Sequence, residues 1–139
     1  MGPSNKLFIV VIDDSATVCR ILEGVLTEGG HQVVCFLDPV PALRSILNTG
    51  ETPLPDLLFI DLNLPKINGY EVITRFKKNT ASLHLPIIAI SRLGDTVSRL
   101  KARLAGANAF LEKPFQPQDV LTLVRDVAVL PNSNIHENE

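Results

Sequence analysis

Short apolar runs alternate with amphipathic stretches along most of the chain. The first run, from Leu7 to Ile12, reads LFIVVI, and a continuous β-branched run of this kind is typical of a strand buried on both faces. Four further apolar runs predict strands at residues 32–36, 56–60, 86–90 and 107–111.

Apolar residues at helical spacing fill the intervals between these runs. We predict helices over residues 15–28, from Pro39 or Pro41 to just before Gly50, over 69–78, around 97–104, and around 120–127 with Pro131 ending the last. Five strand–helix units in succession predict an α/β domain of the doubly wound (βα)5 type. Its five-stranded parallel sheet is expected to carry helices on both faces.

Composition and charge narrow the class of protein. A chain of 139 residues with 45% hydrophobic content fits one folded domain, which we place at residues 6–130. Residues 1–5 are interpreted as a disordered N-terminus or cloning remnant, and residues 131–139 as a polar tail. The net charge of −2 gives no basic footprint for nucleic acid, and no apolar run approaches a membrane span. We expect a monomer or a weak dimer.

The cysteines and histidines offer no separate site. Cys19 and Cys35 do not form a CxxC pair, and two buried reduced thiols are favoured over a disulfide or a metal site. Reduced thiols indicate a cytoplasmic location. The histidines His31, His84 and His136 are scattered, and we interpret them as surface or loop residues.

Polar residues stand where the predicted strands end. Asp13 and Asp14 follow the first strand, Asp61 follows the third, Ser91 ends the fourth, and Lys113 comes just after the fifth. The carboxyl ends of parallel strands meet at one edge of a sheet. We therefore expect three carboxylates, a hydroxyl and an ammonium group to converge on one shallow site.

Such a set of groups suits phosphoryl transfer. Neighbouring carboxylates repel one another, and a hard divalent cation such as Mg²⁺ relieves that repulsion with oxygen ligands. A carboxylate can also act as a nucleophile and form an aspartyl phosphate. Mg²⁺ and Lys113 can then neutralise the phosphoryl oxygens, and the Ser91 hydroxyl can donate a hydrogen bond to one of them.

Each residue alone has a simpler interpretation. Asp13 and Asp14 before a helix are typical N-cap residues, and Asp61 after a strand is typical of a turn. Ser91 alone fits a cap of the next helix, and Lys113 alone fits a solvated side chain. Independent caps need not converge, so their joint occurrence at four strand ends favours a phosphorylation site.

The same residues carry a resemblance to a known family. Asp13-Asp14, Asp61, Ser91 and Lys113-Pro114 stand in the order found in the CheY-like receiver domain of two-component response regulators. The segments DLNLPKINGYE and GANAFLEKPF resemble two further motifs of that family. The resemblance runs from about residue 6 to residue 130. It implies a flavodoxin-like sandwich with strand order 2-1-3-4-5.

The resemblance assigns roles around the acidic residues. It implies that Asp61 is the phosphoacceptor and that a Mg²⁺ ion is bound beside it. Asp14 is then a direct ligand, Asp13 acts mainly through water, and Asn63 contributes its backbone carbonyl. A domain of this kind is a phosphorylated signalling protein rather than an enzyme, apart from self-catalysed phosphorylation and dephosphorylation.

The resemblance also implies a switch. Lys113 binds the phosphoryl group and is joined to Pro114 by a cis peptide, which proline makes accessible. Ser91 is the switch hydroxyl and Phe110 the switch aromatic, although an aromatic strand residue also fits simple core packing. Leu93, two residues past Ser91, is apolar where many members carry a polar residue, and this indicates slow self-dephosphorylation.

The implied partners are a sensor histidine kinase or phosphotransfer protein and a downstream target or output domain that the sequence does not identify. The expected signalling surface comprises the fourth helix, the fifth strand and the fifth helix. The fourth helix carries basic residues around a thin apolar stripe, which also fits a solvated charged face. These basic residues are Arg92, Arg99, Lys101 and Arg103.

Two other classes fit less well. A Mg²⁺-dependent phosphatase with an aspartyl-phosphate intermediate carries its nucleophile in a DxD pattern after the first strand, and this strand ends in IDDSA. A flavodoxin-like FMN binder needs a phosphate loop rich in Ser, Thr or Gly, whereas DDSAT is acidic where a phosphate would bind.

Overall fold

Strands and helices alternate along the part of the chain that the computed structural model describes, residues 6–128. The strands are β1 (Phe8–Ile12), β2 (Gln32–Phe36), β3 (Leu57–Asp61), β4 (Ile87–Ser91) and β5 (Ala109–Glu112). The helices are α1 (Ala16–Glu28), α2 (Pro39–Leu43), α3 (Gly69–Lys78), α4 (Thr96–Ala105) and α5 (Pro117–Ala128). The predicted (βα)5 order is therefore confirmed.

All strand pairs in the sheet are parallel, and the strand order is β2-β1-β3-β4-β5. The chain first adds β2 on one side of β1 and then adds β3 on the other side. This reversal opens a crevice at the carboxyl ends of β1 and β3, which is where open α/β sheets place their sites. The expected order 2-1-3-4-5 is confirmed.

Apolar side chains cover both faces of the sheet. Successive residues of β1 point to opposite faces, and its residues Ile9 to Ile12 are all fully buried. Val10 and Ile12 pack in the core with α2, α3 and α4, whereas Ile9 and Val11 pack in the core with α1 and α5. The continuous apolar run of β1 is explained by this double coverage.

Two helices differ from their predicted form. The predicted second helix is α2 only as far as Leu43, and residues 44–48 continue as a π-helical turn. The fourth helix lies where predicted, but its apolar residues Val97, Leu100 and Leu104 face solvent, and Ala102 is the buried residue of α4. Helical spacing predicted the element but not the face that packs on the sheet.

The structure gives His31 a role that the sequence did not indicate. His31 is half-buried, and its Nδ1 accepts a hydrogen bond from the Leu7 backbone N–H at 3.1 Å. His84 is exposed as predicted. Cys19 and Cys35 are free thiols as expected, although Cys35 is half-buried rather than buried.

Other predictions fall partly outside the described residues. The assignments for His136, for Pro131, and for the terminal segments 1–5 and 131–139 concern residues beyond 6–128. Within residues 6–128, no helix combines the length and the hydropathy that crossing a membrane requires.

Candidate functional site

The polar residues that follow the strands meet at the carboxyl edge of the sheet. Asp61 is the last residue of β3 and Ser91 the last residue of β4, while Asp13 and Lys113 directly follow β1 and β5. The Lys113 backbone N–H donates to the Ser91 carbonyl at 2.9 Å, which continues the β4–β5 pairing beyond the last strand residue. Four separate stretches of chain thus contribute to one site.

Three carboxylates form the centre of this site. Carboxylate oxygens of Asp13, Asp14 and Asp61 all lie within 4.8 Å of one another. Asp13 and Asp61 are buried, whereas Asp14 is exposed. Like charges this close repel strongly in a partly desolvated site, and the repulsion favours a bound cation.

The Asp13 carboxylate retains capacity for such a cation. Its Oδ1 accepts the Ser15 backbone N–H at 2.9 Å. Its Oδ2 is fully buried and pairs electrostatically with Lys113, yet it accepts no well-aligned hydrogen bond from any residue within 6–128. A buried carboxylate oxygen without a hydrogen bond, beside two further carboxylates, fits the oxygen-rich donor set of a hard divalent ion.

The simpler interpretation of Asp13-Asp14 as a helix cap is wrong. Ser15 is the N-cap residue of α1, and its Oγ accepts the Val18 backbone N–H at 3.2 Å. Ser91 does not cap α4 either, because Asp95 occupies that N-cap position. The acidic pair and the strand-end serine are therefore not explained by helix capping.

Lys113 provides the positive charge of the site. Its Nζ lies 3.1 Å from Asp13 Oδ2 and 3.5 Å from Asp61 Oδ2, with 14% of its side chain exposed. The Lys113–Pro114 peptide is cis. Lys113 is thus placed between two buried carboxylates, where an ammonium group offsets their repulsion.

Opposing effects act on the Asp61 carboxyl group. Burial raises the pKa of Asp61 above its ordinary value, and the backbone N–H of Asn63, which donates to Oδ1 at 3.0 Å, counteracts this rise. The charge of Asp13 raises the pKa further, and the charge of Lys113 lowers it. The net shift of the Asp61 pKa is upward, and a cation bound beside it would favour the ionised form.

Asn63 connects the acidic centre to Ser91. Besides donating its backbone N–H to Asp61, it donates its side-chain Nδ2 to Ser91 Oγ at 3.4 Å. Ser91 is 2% exposed, and its Oγ also accepts the Leu93 backbone N–H at 3.0 Å. The sequence predicts only that Asn63 contributes its backbone carbonyl to a metal ion. The hydrogen bonds that its backbone N–H and its side-chain amide donate were not predicted. The signal available was its position two residues after a strand-end aspartate, which is typical of an Asx turn.

Phe110 lies on β5, half-buried against the core with α3 and α4. The Arg99 guanidinium lies 4.6 Å from the centre of its ring. Arg99 also donates its Nε to the Gly94 carbonyl at 2.9 Å and pairs with Glu112 at 3.4 Å. Arg99 is therefore attached to the β4–α4 connection and to β5, rather than freely solvated.

Comparison with known proteins identifies the family of this arrangement. The family model described as response regulator receiver domain matches residues 9–125. PilG of Pseudomonas aeruginosa is 31% identical over 122 residues, which cover 88% of this chain and 87% of PilG. A probable transcriptional regulator, ycf27 of Porphyridium aerugineum, is 35% identical over 123 residues, which cover 88% of this chain but 48% of that protein.

Solved structures agree with the family match. The crystal structure of a putative response regulator from Chloroflexus aurantiacus superimposes with a TM-score of 0.81 at 32% identity. The superposition covers 89% of this chain and 98% of that protein. The likeness therefore extends over the whole α/β sandwich as well as the segments around the acidic cluster.

Proposed function

Because this chain belongs to the receiver domain family of two-component response regulators, we propose that it accepts a phosphoryl group on Asp61 and thereby switches a partner-binding surface. The observation that carries this proposal is the position of Asp61. It is a buried carboxylate at the end of β3 with an ammonium group, a backbone N–H and two further carboxylates around it.

Asp61 suits the acceptor role better than its two acidic neighbours. Asp13 is fully buried and held in place, because its Oδ1 accepts the Ser15 N–H and its Oδ2 lies 3.1 Å from Lys113 Nζ. Asp14 is exposed, so a phosphoryl group attached there would be open to water. Asp61 combines burial with donors that can stay in place as the phosphoryl group arrives.

We assign the metal of this site as Mg²⁺, held by the carboxylates of Asp14 and Asp61 and by the backbone carbonyl of Asn63. Asp13 acts mainly through water in this assignment, and its Oδ2, which accepts no well-aligned hydrogen bond from residues 6–128, can accept one from such a water. When bound, Mg²⁺ supplies positive charge to the carboxylates and to the phosphoryl oxygens.

The chain's own groups position the transfer. An Asp61 carboxylate oxygen attacks phosphorus, the bond between phosphorus and the donor's nitrogen or oxygen breaks, and the leaving group keeps the electron pair. Lys113 binds the phosphoryl oxygens, and its position between Asp13 and Asp61 supports this role. The transfer requires little else from the protein than positioning and charge.

The switch then begins at Ser91. Its hydroxyl oxygen accepts two hydrogen bonds, from Leu93 and Asn63, while its own proton is available to donate to a phosphoryl oxygen. Movement of Ser91 toward Asp61 would displace the β4–α4 connection, to which Arg99 is attached. Phe110, beneath Arg99, would follow. Phosphorylation shifts the populations of two conformations in this scheme.

The proposed donor is a sensor histidine kinase, a phosphotransfer protein or a small acyl phosphate. An apolar cleft of about 380 Å³ beside Lys113 supports docking of a protein donor next to the acceptor. Its lining includes Val18 and Ile21 of α1 and Phe115 of the β5–α5 connection. The free thiols Cys19 and Cys35 support a cytoplasmic location.

The proposed role is signalling, without turnover of an external substrate. The chain spans most of PilG but about half the length of the ycf27 regulators it matches. We propose that the phosphorylated surface acts on a downstream partner or output domain. Turnover of a generic phosphomonoester would instead support a Mg²⁺-dependent phosphatase.

The experiment is phosphorylation with acetyl phosphate and Mg²⁺, followed by intact-mass analysis. We expect one added phosphoryl group in the wild type and in the control variant Asp126→Asn, which removes an exposed carboxylate of α5. Asp61→Asn should abolish the addition, and chelation of divalent ions should strongly slow it. An unchanged mass in the wild type, or a gain that survives Asp61→Asn, would contradict the proposal.

A further inference from the structure

The two cysteines of the chain lie beside each other, although they belong to different elements. Cys19 is near the start of α1, and Cys35 is in β2, where it is paired with Val11 of β1. The Cys35 Sγ donates to the Cys19 carbonyl oxygen at 3.6 Å. The two thiols also interact directly, and a hydrogen bond between them lowers the pKa of Cys19 and raises the pKa of Cys35.

Core packing alone does not explain why two thiols meet here. Cys19 is buried in the core with α1 and α5, and the half-buried Cys35 packs against that core from the edge strand β2. A cysteine in such a position behaves as a small apolar residue, and another small apolar residue would fill the same space. Two adjacent thiols have a reaction that neither has alone, which is disulfide formation. The chain contains no third cysteine, so each has only the other as a partner within one molecule.

Hydrogen bonds connect both cysteines to the acidic site. Cys19 Sγ donates to the Asp13 carbonyl oxygen at 3.4 Å, and the Cys19 backbone N–H donates to the Ser15 carbonyl at 3.0 Å. Ser15 in turn donates its backbone N–H to Asp13 Oδ1 at 2.9 Å. On the other side, the Asp13 backbone N–H donates at 3.1 Å to the carbonyl of Phe36, the residue after Cys35. Both cysteines are therefore next to groups that hold Asp13 in place.

We infer that Cys19 and Cys35 form a reversible disulfide under oxidising conditions, and that this disulfide slows phosphoryl uptake by displacing Asp13. Formation of the S–S bond removes the thiol proton that Cys19 donates to the Asp13 carbonyl oxygen. Disulfides in cytoplasmic proteins are usually transient and often sense the redox state. The disulfide itself is independent of the proposed function, whereas its effect on uptake rests on that function and adds regulation to it.

Hydrogen peroxide is the oxidant in the proposed reaction. In the first step one cysteine sulfur attacks a peroxide oxygen and the O–O bond breaks. The departing hydroxide takes the thiol proton, so the products are a sulfenic acid and water. In the second step the other cysteine sulfur attacks the sulfenic sulfur, the S–S bond forms and the S–O bond breaks. The hydroxide released there leaves as water with the second thiol proton, so peroxide is reduced to two waters.

The first measurement detects the disulfide in the full chain. The chain is treated with hydrogen peroxide, and the remaining thiols are then alkylated with N-ethylmaleimide under denaturing conditions. We expect intact-mass analysis to show no added maleimide, and tandem mass spectrometry to show Cys19 linked to Cys35. Dithiothreitol should restore two thiols that react with maleimide. Met1 can also take up oxygen from peroxide, and the control variant Cys35→Ser, which cannot form the disulfide within one molecule, measures that contribution.

The second measurement is the rate of phosphoryl uptake from acetyl phosphate and Mg²⁺. We expect the oxidised wild type to take up phosphoryl groups roughly tenfold more slowly than the reduced protein, because small displacements of positioning groups lower reaction rates strongly. Dithiothreitol should restore the rate. Peroxide treatment should leave the rate of Cys35→Ser unchanged, because the buried Cys19 then has no partner. Circular dichroism of the oxidised and reduced forms checks that the fold is retained.

Several outcomes would overturn the inference. These are two thiols that still react with maleimide after peroxide treatment, a covalent dimer on a non-reducing gel in place of the internal disulfide, and uptake that is equally fast with and without the disulfide. Equal slowing of the wild type and Cys35→Ser by peroxide would also contradict it. If Asp61 is phosphorylated but Cys19 and Cys35 do not join, this inference fails and the proposed function stands. An internal disulfide without phosphoryl uptake in either redox state would instead contradict the proposed function.

Discussion

Gly69 begins α3 where this helix packs on the backbone of the strand that carries Asp61. The Gly69 N–H donates to the Leu62 carbonyl at 3.0 Å. A Cβ atom at position 69 would clash with the Asp61 carbonyl oxygen and would lie 2.5 Å from the Leu62 Cα. Both obstacles are backbone atoms, so Gly69→Ala must shift either the helix or the end of β3.

The expected destabilisation by Gly69→Ala follows from the clash of its Cβ with the backbone of residues 61 and 62. Overpacking in a well-packed region lowers the free energy of unfolding by about 1–3 kcal/mol. Because the obstacles are backbone atoms that cannot rotate away, we expect a loss of about 3 kcal/mol for Gly69→Ala. For a domain of this size, that loss lowers the melting temperature by roughly 10 °C. Gly24→Ala is the matched control, because no atom lies within 4 Å of a Cβ in the middle of α1. It should raise the free energy of unfolding by about 0.5–1 kcal/mol, through helix propensity.

The assay combines urea unfolding, followed by circular dichroism, with the rate of phosphoryl uptake from acetyl phosphate under conditions in which both variants are folded. We expect Gly69→Ala to slow the uptake, because Asp61 moves with its backbone, and Gly24→Ala to leave the rate unchanged. If Gly69→Ala unfolds within about 0.5 kcal/mol of the wild type and takes up phosphoryl groups at the normal rate, the packing argument is wrong.

Three further predictions concern single side chains. Lys113→Met should slow phosphoryl uptake at Asp61 by roughly a hundredfold or more, because a positioned positive charge is lost. The rate is measured as an intact-mass time course, and an unchanged rate would show that Lys113 has no role in the transfer. Burial lowers the pKa of His31 below its ordinary value, so the unfolded chain binds a proton at pH values where the folded chain does not. The free energy of unfolding should therefore fall as the pH decreases below about 6.5. His31→Gln should reduce this pH dependence in urea titrations, and an identical dependence in the variant would show that His31 is not its source. Leu93→Glu should shorten the lifetime of the phosphorylated form, and an equal lifetime would exclude a role for Leu93 in limiting hydrolysis.

The sheet and its site could be predicted because their signals are local. The β1 run is apolar at every position, and this pattern requires coverage of both faces of the strand. Asp61 and Ser91 are polar residues at the ends of apolar runs, and parallel pairing alone brings such ends to one edge. The convergence of Asp13 and Lys113 follows from the same rule.

Tertiary packing determined what the sequence did not indicate. The large apolar residues of α4, which are Val97, Leu100 and Leu104, recur at helical spacing but are exposed. The small Ala102 allows the closest approach to the sheet, and it therefore determines which side of the helix is buried. The contacts of Arg99 with Gly94 and Phe110 depend on how a long side chain crosses between two elements, which no spacing rule specifies. The change to a π-helical turn after α2 had no signal that we recognised in the sequence.

The central claim is that Asp61, and no neighbouring carboxylate, carries the phosphoryl group. Borohydride reduction of the acetyl-phosphate-treated chain converts a phosphorylated aspartate to homoserine, and tandem mass spectrometry then locates that residue. We expect homoserine at position 61, and only after treatment with acetyl phosphate and Mg²⁺. Homoserine at position 13 or 14, or at no position in a fully sequenced chain, would contradict it.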